Sequence, residues 1–425
     1  MHRFQLSEVN KKITVVGVLL ACFMLRPTAG GQTLTPIALI LLLAFLLFDF
    51  INRRPHIQKP SAHSTCVALI GIFLWIYLAL HGIFSESERI DFVVKSTVAH
   101  VITIACVYLI FSDSQSSYRF FKYLSAFLML PIVSYMVTAL LGYLFSFDAL
   151  YLFSMNIEEY PGTGDILFPI TPVYTFVELP GVKLIRLSGF FRESGIAQAF
   201  YGWGFMSAPF LWRRAGLVRF LFAAGMIFSI STVGIFLLAL LIVGISFLSL
   251  GELRGSPMHR LARVAFVAAL AGIVGFTTYY VSENVPVVGL RDKEERSVSA
   301  DDRYDASSKS LLTISDYPLG LGLYSNTGPN STINLIGSIG EIGVLGFILV
   351  LSLYFVPPLL LRRHFYAAAC VLPVFLTAVT SQPLLDAPFV YILLFFAPKN
   401  IGAVNKTYKK SDDKPLFINS HLQAD

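Results

Sequence analysis

Residues 34–50 read LTPIALILLLAFLLFDF, an apolar run whose only charge, Asp49, stands at its end. The run is continuous, whereas a strand of a membrane barrel alternates polar and apolar positions. A helix that crosses a bilayer needs about 20 mainly apolar residues, and its internal hydrogen bonds satisfy the backbone where no water is present. The run therefore predicts a transmembrane helix.

The whole chain has the same character. Its 425 residues are 55% hydrophobic and 14% charged, with a mean hydropathy of +0.69, whereas soluble domains carry roughly 25% charged residues. We therefore predict an all-α fold, a polytopic transmembrane bundle of about twelve spans, and we exclude a soluble globular domain. The candidate spans are 13–25, 34–50, 66–84, 92–111, 120–147, 195–212, 216–231, 232–250, 263–281, 333–358, 364–381 and 383–397.

Lysine and arginine collect in every second connection between these spans, as the positive-inside rule requires of short cytoplasmic loops. The short connections on the other side hold only Arg26 and Arg89. This pattern predicts that both termini lie in the cytoplasm, including a lysine-rich tail at 399–425. The net charge of +6 follows from the same pattern and does not indicate a nucleic-acid partner.

Two connections on the predicted periplasmic side are unusually long, 148–194 and 282–332, and connections of this length usually carry function. Both contain arginine, whose guanidinium group makes bidentate contacts to phosphate and keeps its proton. We expect Arg186 and Arg303, one from each loop, to clamp the diphosphate of a lipid-linked substrate, with Arg192 and Arg291 assisting in substrate binding. The alternative is that these arginines anchor at lipid headgroups or pair with neighbouring aspartates.

Two acidic residues are further candidates. Glu193 follows Arg192 at the expected start of a span, where a carboxylate suits the helix N-terminus; it is either a base for a sugar hydroxyl or an ion-pair partner of an arginine. Glu341 lies about two turns into the predicted bilayer, and an acid at that depth is a functional candidate, although a structural hydrogen bond explains it equally well. No P-loop, GxGxxG, HExxH or zinc-like spacing occurs, so we expect neither a metal nor a cofactor.

Two strings resemble the bacterial O-antigen polymerase and ligase superfamily. RLSGFFRESGIAQA (186–199) resembles its R-x-S-G-x-F-x-E-P-G segment, with Ser194 at the usual proline. The stretch from Arg303 through DYPLGLG (316–322) and Asn330 to GEIGVLG (340–346) resembles a second segment, in which His-Asn stands between P-L-x-G-x-G and a Glu-x-Gly-x-x-Gly helix. The Ser231-Thr-Val-Gly234 turn is similar to the family's polar turn between two spans.

The resemblance implies a GT-C-type helical glycosyltransferase with its active site in the periplasmic loops. It implies undecaprenyl diphosphate-linked glycans as donor and acceptor, and it assigns Asn330 and Glu341 to substrate binding. Pro329-Asn330 replaces the His-Asn of family ligases, which favours a Wzy-type polymerase over a ligase that transfers glycan to lipid A-core. Expected partners are the bilayer, a chain-length regulator and a flippase. A transporter or flippase of lipid-linked oligosaccharides is the alternative of another class, although no internal repeat typical of transporters is found.

Overall fold

The computed structural model describes residues 2–52, 59–85, 89–154, 164–179, 182–251, 298–325, 334–361, 364–380 and 384–398. These residues are mostly helical, which confirms the predicted helical class. Their helices are α1 (His2–Cys22), α2 (Gly31–Asn52), α3 (Ala62–Phe84), α4 (Ile90–Phe111), α5 (Ser114–Phe145), α6 (Ser194–Leu211), α7 (Ala215–Phe228), α8 (Thr232–Gly251), α9 (Val298–Asp316), α10 (Ile339–Leu359), α11 (His364–Thr380) and α12 (Pro388–Leu393).

Five helices of the described part are long and apolar enough to cross a membrane: Thr33–Asn52 within α2, and all of α3, α4, α5 and α10. Shorter apolar helices are α7, α11 and Thr232–Ser246 of α8. The outward side chains of the long helices are large and apolar, as at Leu140, Phe84 and Ile40, each more than 60% exposed. Such surfaces need lipid around them, so the bundle is that of a membrane-embedded protein.

The last predicted span, 383–397, has a different structure. Within it the helix α12 covers only six residues and continues as single turns with i to i+3 hydrogen bonds, such as Phe396 N–H to the Leu393 carbonyl at 3.1 Å. Residues 388–397 are all buried. The segment runs from Arg26, whose carbonyl accepts from the Phe389 N–H, to Phe121 near the start of α5, whose ring lies 5.2 Å from that of Phe396. Its direction is therefore that of the predicted span, although its helical part is short. The predicted span 263–281 and the tail 399–425 lie outside the described residues.

Helix α6 lies at the centre of the bundle and packs against α5, α7, α8 and α11. It is apolar on all sides and nearly every residue is buried, as expected of a helix surrounded by other helices. Close packing depends on small residues: a Cβ added at Gly202 would come within 2.7 Å of Pro373. Small residues allow such approach between membrane helices.

The predicted loop 148–194 contains an antiparallel sheet that the all-α prediction did not include. Its strands run in the order β1-β2-β3-β4 and cover Tyr151–Ser154, Asp165–Leu167, Thr171–Leu179 and Val182–Leu187. The sheet packs on the second half of α5, where the Tyr135 hydroxyl donates to the Ile185 carbonyl at 2.7 Å. Its strands are rich in β-branched and aromatic residues, a signal that the length of the connection concealed.

The second predicted loop, 282–332, also contains regular structure, because α9 occupies its middle. A buried contact fixes α9 to the start of α10: the backbone N–H of Gly340 donates to the Ser310 hydroxyl at 2.5 Å. Residues 282–297 and 326–332 lie outside the described part of the chain.

The bundle has two recognisable ends. At the sheet end, residues 23–30, 188–193 and 384–389 meet through backbone hydrogen bonds. At the opposite end, Lys11 pairs with Asp113 at 3.1 Å and Glu8 pairs with Arg119, which ties α1 to the start of α5. Burial by itself would raise the pKa of Asp113, but the charge of Lys11 and nearby hydrogen-bond donors outweigh it and hold this pKa below its ordinary value.

Candidate functional site

The segment RLSGFFRESG (186–195) leads from β4 into α6 and lies against the connection between α1 and α2. Thr28 and Phe191 form an antiparallel bridge, flanked by hydrogen bonds from the Ala29 N–H to the Phe190 carbonyl (3.0 Å) and from the Arg192 N–H to the Pro27 carbonyl (3.2 Å). The Phe191 ring is buried and stacks on Phe200 of α6 at 4.2 Å between ring centroids. The segment is therefore a fixed part of the sheet end.

Gly189 makes the turn in this segment possible. Its φ of +60° lies in the left-handed region, and an added Cβ would overlap the hydroxyl of buried Tyr201. Glycine alone meets both requirements without strain. The first glycine of the motif therefore has a structural reason within this fold.

Arg192 and Glu193 stand side by side at the start of α6. Their side chains are mostly buried and approach to 3.7 Å between Arg192 Nη2 and Glu193 Oε1. Glu193 is the N-cap residue of α6, and its side chain makes no cap hydrogen bond. The carboxylate is thus at a helix N-terminus, as the sequence predicts, and its observed neighbour favours the ion-pair role over the role of a base.

Arg186 is the fifth residue of β4 and is half-buried. Its Nε donates to the backbone carbonyl of Ser229 at 3.4 Å, in the turn between α7 and α8. The Ser231–Gly234 stretch begins in this same turn. Arg186 therefore contacts the turn that leads into the Ser231–Gly234 stretch, 43 residues away in sequence.

The structure describes no side chain for three other predicted site residues, Arg303, Arg291 and Asn330. Arg303 belongs to α9, of which only the backbone is described at that position, and Arg291 and Asn330 lie outside the described residues. The expected convergence of Arg186 and Arg303 on one ligand therefore stays a prediction.

Glu341 is buried and holds a loop in place. Its Oε2 accepts a hydrogen bond from the backbone N–H of Tyr324 at 3.1 Å. This loop, which follows α9 and contains Tyr324, crosses the start of α10. The N–H groups of Leu321 and Gly322 donate to the carbonyls of Gly340 and Glu341, at 2.9 and 3.0 Å. These contacts agree with the structural interpretation of Glu341, and substrate binding by this residue stays a prediction.

The crossing interrupts helix α10. Gly343 has φ 70° and ψ 175°, which is not helical, and Val344 donates to the Pro318 carbonyl at 2.9 Å in place of a helical partner. Gly320, with φ +88°, faces this break. Gly320 of the P-L-G-L-G string and Gly343 of the G-E-I-G string are therefore needed where two backbones touch.

Sequence reasoning missed two charged residues of the site. Arg26 Nη1 and Asp386 Oδ2 are 2.7 Å apart, and the Arg26 carbonyl accepts from the Phe389 N–H at 3.1 Å. Arg26 entered the sequence argument only through the orientation of the spans. Asp386 was hidden inside an apolar run, although an acid within a predicted span is itself a functional signal.

Tyr324 connects this pair to the rest of the site. Its hydroxyl bonds to Asp386 and lies 3.0 Å from the Ser96 hydroxyl of α4. Burial, together with the charge of Asp386 and the hydrogen bond to it, raises the pKa of Tyr324 well above its ordinary value. The phenol is therefore neutral and acts as a hydrogen-bond donor to the carboxylate.

We call Arg26, Asp386, Tyr324, Arg192 and Glu193 the polar network. It gathers guanidinium and carboxylate groups from three distant parts of the chain at one end of an apolar bundle. Its arginines suit an anionic ligand, and its carboxylates are held by charged or hydroxyl partners. Within the described ranges, no group of three or more His, Cys, Asp or Glu side chains is placed to hold a metal ion.

Comparison with family models, with curated proteins and with solved structures finds no match for this chain.

Proposed function

We propose that the protein is a membrane glycosyltransferase that polymerises undecaprenyl diphosphate-linked repeat units into O-antigen or a related surface polysaccharide. The sheet end faces the periplasm in this proposal, both termini lie in the cytoplasm, and the chain makes about twelve crossings of the inner membrane in a GT-C-type arrangement. One observation carries the proposal. The segment that resembles the family motif, with Arg186, Arg192 and Glu193, is built into the sheet end next to the Arg26–Asp386 pair.

The proposed reaction transfers the growing chain. A hydroxyl of the acceptor repeat unit attacks the anomeric carbon of the donor, the bond from that carbon to the diphosphate oxygen breaks, and undecaprenyl diphosphate leaves with the electron pair. Guanidinium groups stabilise the charge that develops on the leaving group, as preorganised donors do in an oxyanion hole. Arg186 and Arg303 have this role in the proposal, and Arg192 and Arg291 bind the anionic substrate.

The hydroxyl proton passes to a base, for which Glu193 is the candidate. A carboxylate can accept such a proton, and the alternative role of Glu193 is to hold Arg192 in place, from which it lies 3.7 Å away. Much of the rate gain would come from holding two lipid-bound reactants in one orientation.

The test is a gel of surface glycans from a strain that lacks the gene and carries each variant on a plasmid. We expect the deletion to leave only single-repeat glycans, wild type to restore long chains, and Arg186→Ala to fail. Arg186→Lys should restore little, because lysine lacks the bidentate geometry. Arg214→Ala is the matched control, since this exposed arginine lies in the turn between α6 and α7 and should behave as wild type.

Immunoblots of the membrane fraction establish that all variants are present in equal amounts. Long chains with Arg186→Ala would remove Arg186 from the site. Full-length chains that accumulate on the carrier lipid in the deletion strain would identify a ligase instead, and loss of translocated single repeats would identify a flippase.

A further inference from the structure

The turn between β2 and β3 presents large apolar side chains outside the bundle. Phe168 is 48% exposed and Ile170 is 69% exposed, on either side of Pro169. Turns in water usually carry glycine, proline, asparagine, aspartate or serine, and of these the present turn has only Pro169. A Phe-Pro-Ile turn that projects outward therefore needs an apolar environment.

Hydroxyl groups of α5 hold this turn at a defined height. The Thr138 hydroxyl donates to the Phe168 carbonyl at 2.7 Å, and the Ile170 N–H donates to the Ser134 hydroxyl at 3.2 Å. The Phe168 N–H donates to the Leu150 carbonyl at 2.7 Å, and Pro169 has no N–H. Both backbone donors of the turn, and the Phe168 carbonyl, thus have partners within the protein, which lowers the cost of placing this irregular backbone in a membrane.

The height of the turn places it within the apolar layer. Lys122 is the last charged residue of α5, and it lies 5.5 Å from the ring of Trp212, which donates to Ser125; this pairing of lysine and tryptophan is typical of a membrane interface. Ser134 and Thr138 follow 12 and 16 residues later, about 18 and 24 Å along the helix axis. The hydrocarbon core is about 30 Å thick.

The surface of α5 at the same height faces outward and is apolar. Val133, Met136, Val137 and Leu140 are each between 39% and 63% exposed, and α5 is long and apolar enough to cross a membrane. The turn is therefore continuous with the lipid-facing surface of a candidate span.

The neighbouring strand has the composition of an interface. Tyr151, Leu152 and Phe153 of the edge strand β1 are about half exposed. An edge strand keeps one row of backbone groups unpaired, so it cannot lie in hydrocarbon, whereas tyrosine and other aromatic side chains favour the headgroup level. The sheet thus changes from apolar at its turn to amphipathic at its edge.

We propose that the Phe168–Ile170 turn is immersed in the acyl chains of the leaflet at the sheet end, with β1 at the headgroups. Bilayer lipid is its partner. The immersed turn fixes the depth of the sheet, since Thr171 continues into β3 and Val173 of β3 pairs with Leu187, next to Arg186. The inference does not depend on the proposed enzymatic activity.

The test is the accessibility of a spin label in proteoliposomes of phosphatidylethanolamine and phosphatidylglycerol. Ile170→Cys carries the label in a Cys66→Ala background, because the other three native cysteines are buried. Oxygen concentrates in acyl chains, and a nickel chelate stays in water. We expect the ratio of oxygen to nickel collision rates at position 170 to match that of Leu140→Cys and to exceed several-fold that of Arg213→Cys, an exposed position in the turn between α6 and α7.

Phe168→Cys gives a second, independent position with the same expected ratio. A ratio at both positions equal to that of Arg213→Cys would place the turn in water and overturn the proposal. Low collision rates with both reagents would show that protein, such as a second copy of the chain, covers the turn, and this result would overturn it equally.

Discussion

The substitution Gly343→Ala tests the break in α10 directly. Alanine has to adopt φ 70° and ψ 175°, a region that is essentially reserved for glycine and costs about 1–3 kcal/mol. Its Cβ would also overlap the backbone carbonyl of Leu319, and a change of side-chain rotamer cannot relieve an overlap with backbone. The two chain segments therefore have to separate.

Separation weakens the hydrogen bonds that join the loop to α10. Three of them, from Leu321, Gly322 and Val344, measure 2.9 to 3.0 Å, and each contributes about 0.5–1.5 kcal/mol. If all three are lost, the bonds and the strain together amount to about 2.5–7.5 kcal/mol, a large part of the stability of a typical domain.

The assay is the midpoint of thermal unfolding in detergent, followed by intrinsic fluorescence. We expect Gly343→Ala to lower the midpoint by several degrees. Gly244→Ala is the matched control, because it lies in α8 with open space around its missing Cβ, and alanine should be neutral or stabilise the helix by up to about 1 kcal/mol. Equal midpoints for the two variants would refute the account of the break.

Two further predictions concern charged and hydroxyl contacts. Tyr324→Phe removes the hydroxyl that bonds to Asp386 and should lower the free energy of unfolding by roughly 1–3 kcal/mol. Its control is Tyr317→Phe, which alters an exposed phenol and should change the thermal midpoint little. Equal midpoints for the two variants would contradict the role given to Tyr324. Because the Asp113 pKa is lower in the folded state, the ion pair with Lys11 should stabilise fully above the ordinary pKa of 3.8 and progressively less as pH falls through the folded value. Asp113→Asn should therefore reduce the fall of the thermal midpoint at acid pH. An unchanged fall would show that the Asp113–Lys11 pair does not cause it.

The sheet shows why part of the site was hard to foresee. Two of its strands cover only four and three residues, and β2 pairs with β3 only over Ile166 and Leu167, so no extended alternation marks them in the sequence. The helix α9 is mostly polar and was concealed in the same way by the length of its connection. In both cases the partner that stabilises the element, α5 or α10, is distant in sequence.

Of the two acids Glu193 and Glu341, the sequence predicted the location of the first but not the partner of the second. The position of Glu193 at the start of a helix followed from the glycine and the apolar run after it. The partner of Glu341 did not, because it is the backbone of Tyr324 in a loop whose path depends on Gly320 and Gly343 together.

The sequence by itself determined that the chain is a bundle of apolar helices, because hydrophobicity acts over each run of about 20 residues independently of the rest. It also identified the arginine-bearing segment before α6, because glycine and charge are unusual beside such runs. Only the tertiary structure decided that Arg26 pairs with Asp386 across 360 positions of the chain, and that a Phe-Pro-Ile turn lies along α5. Such contacts depend on which helices pack side by side, and hydrophobicity alone treats every apolar neighbour as equivalent.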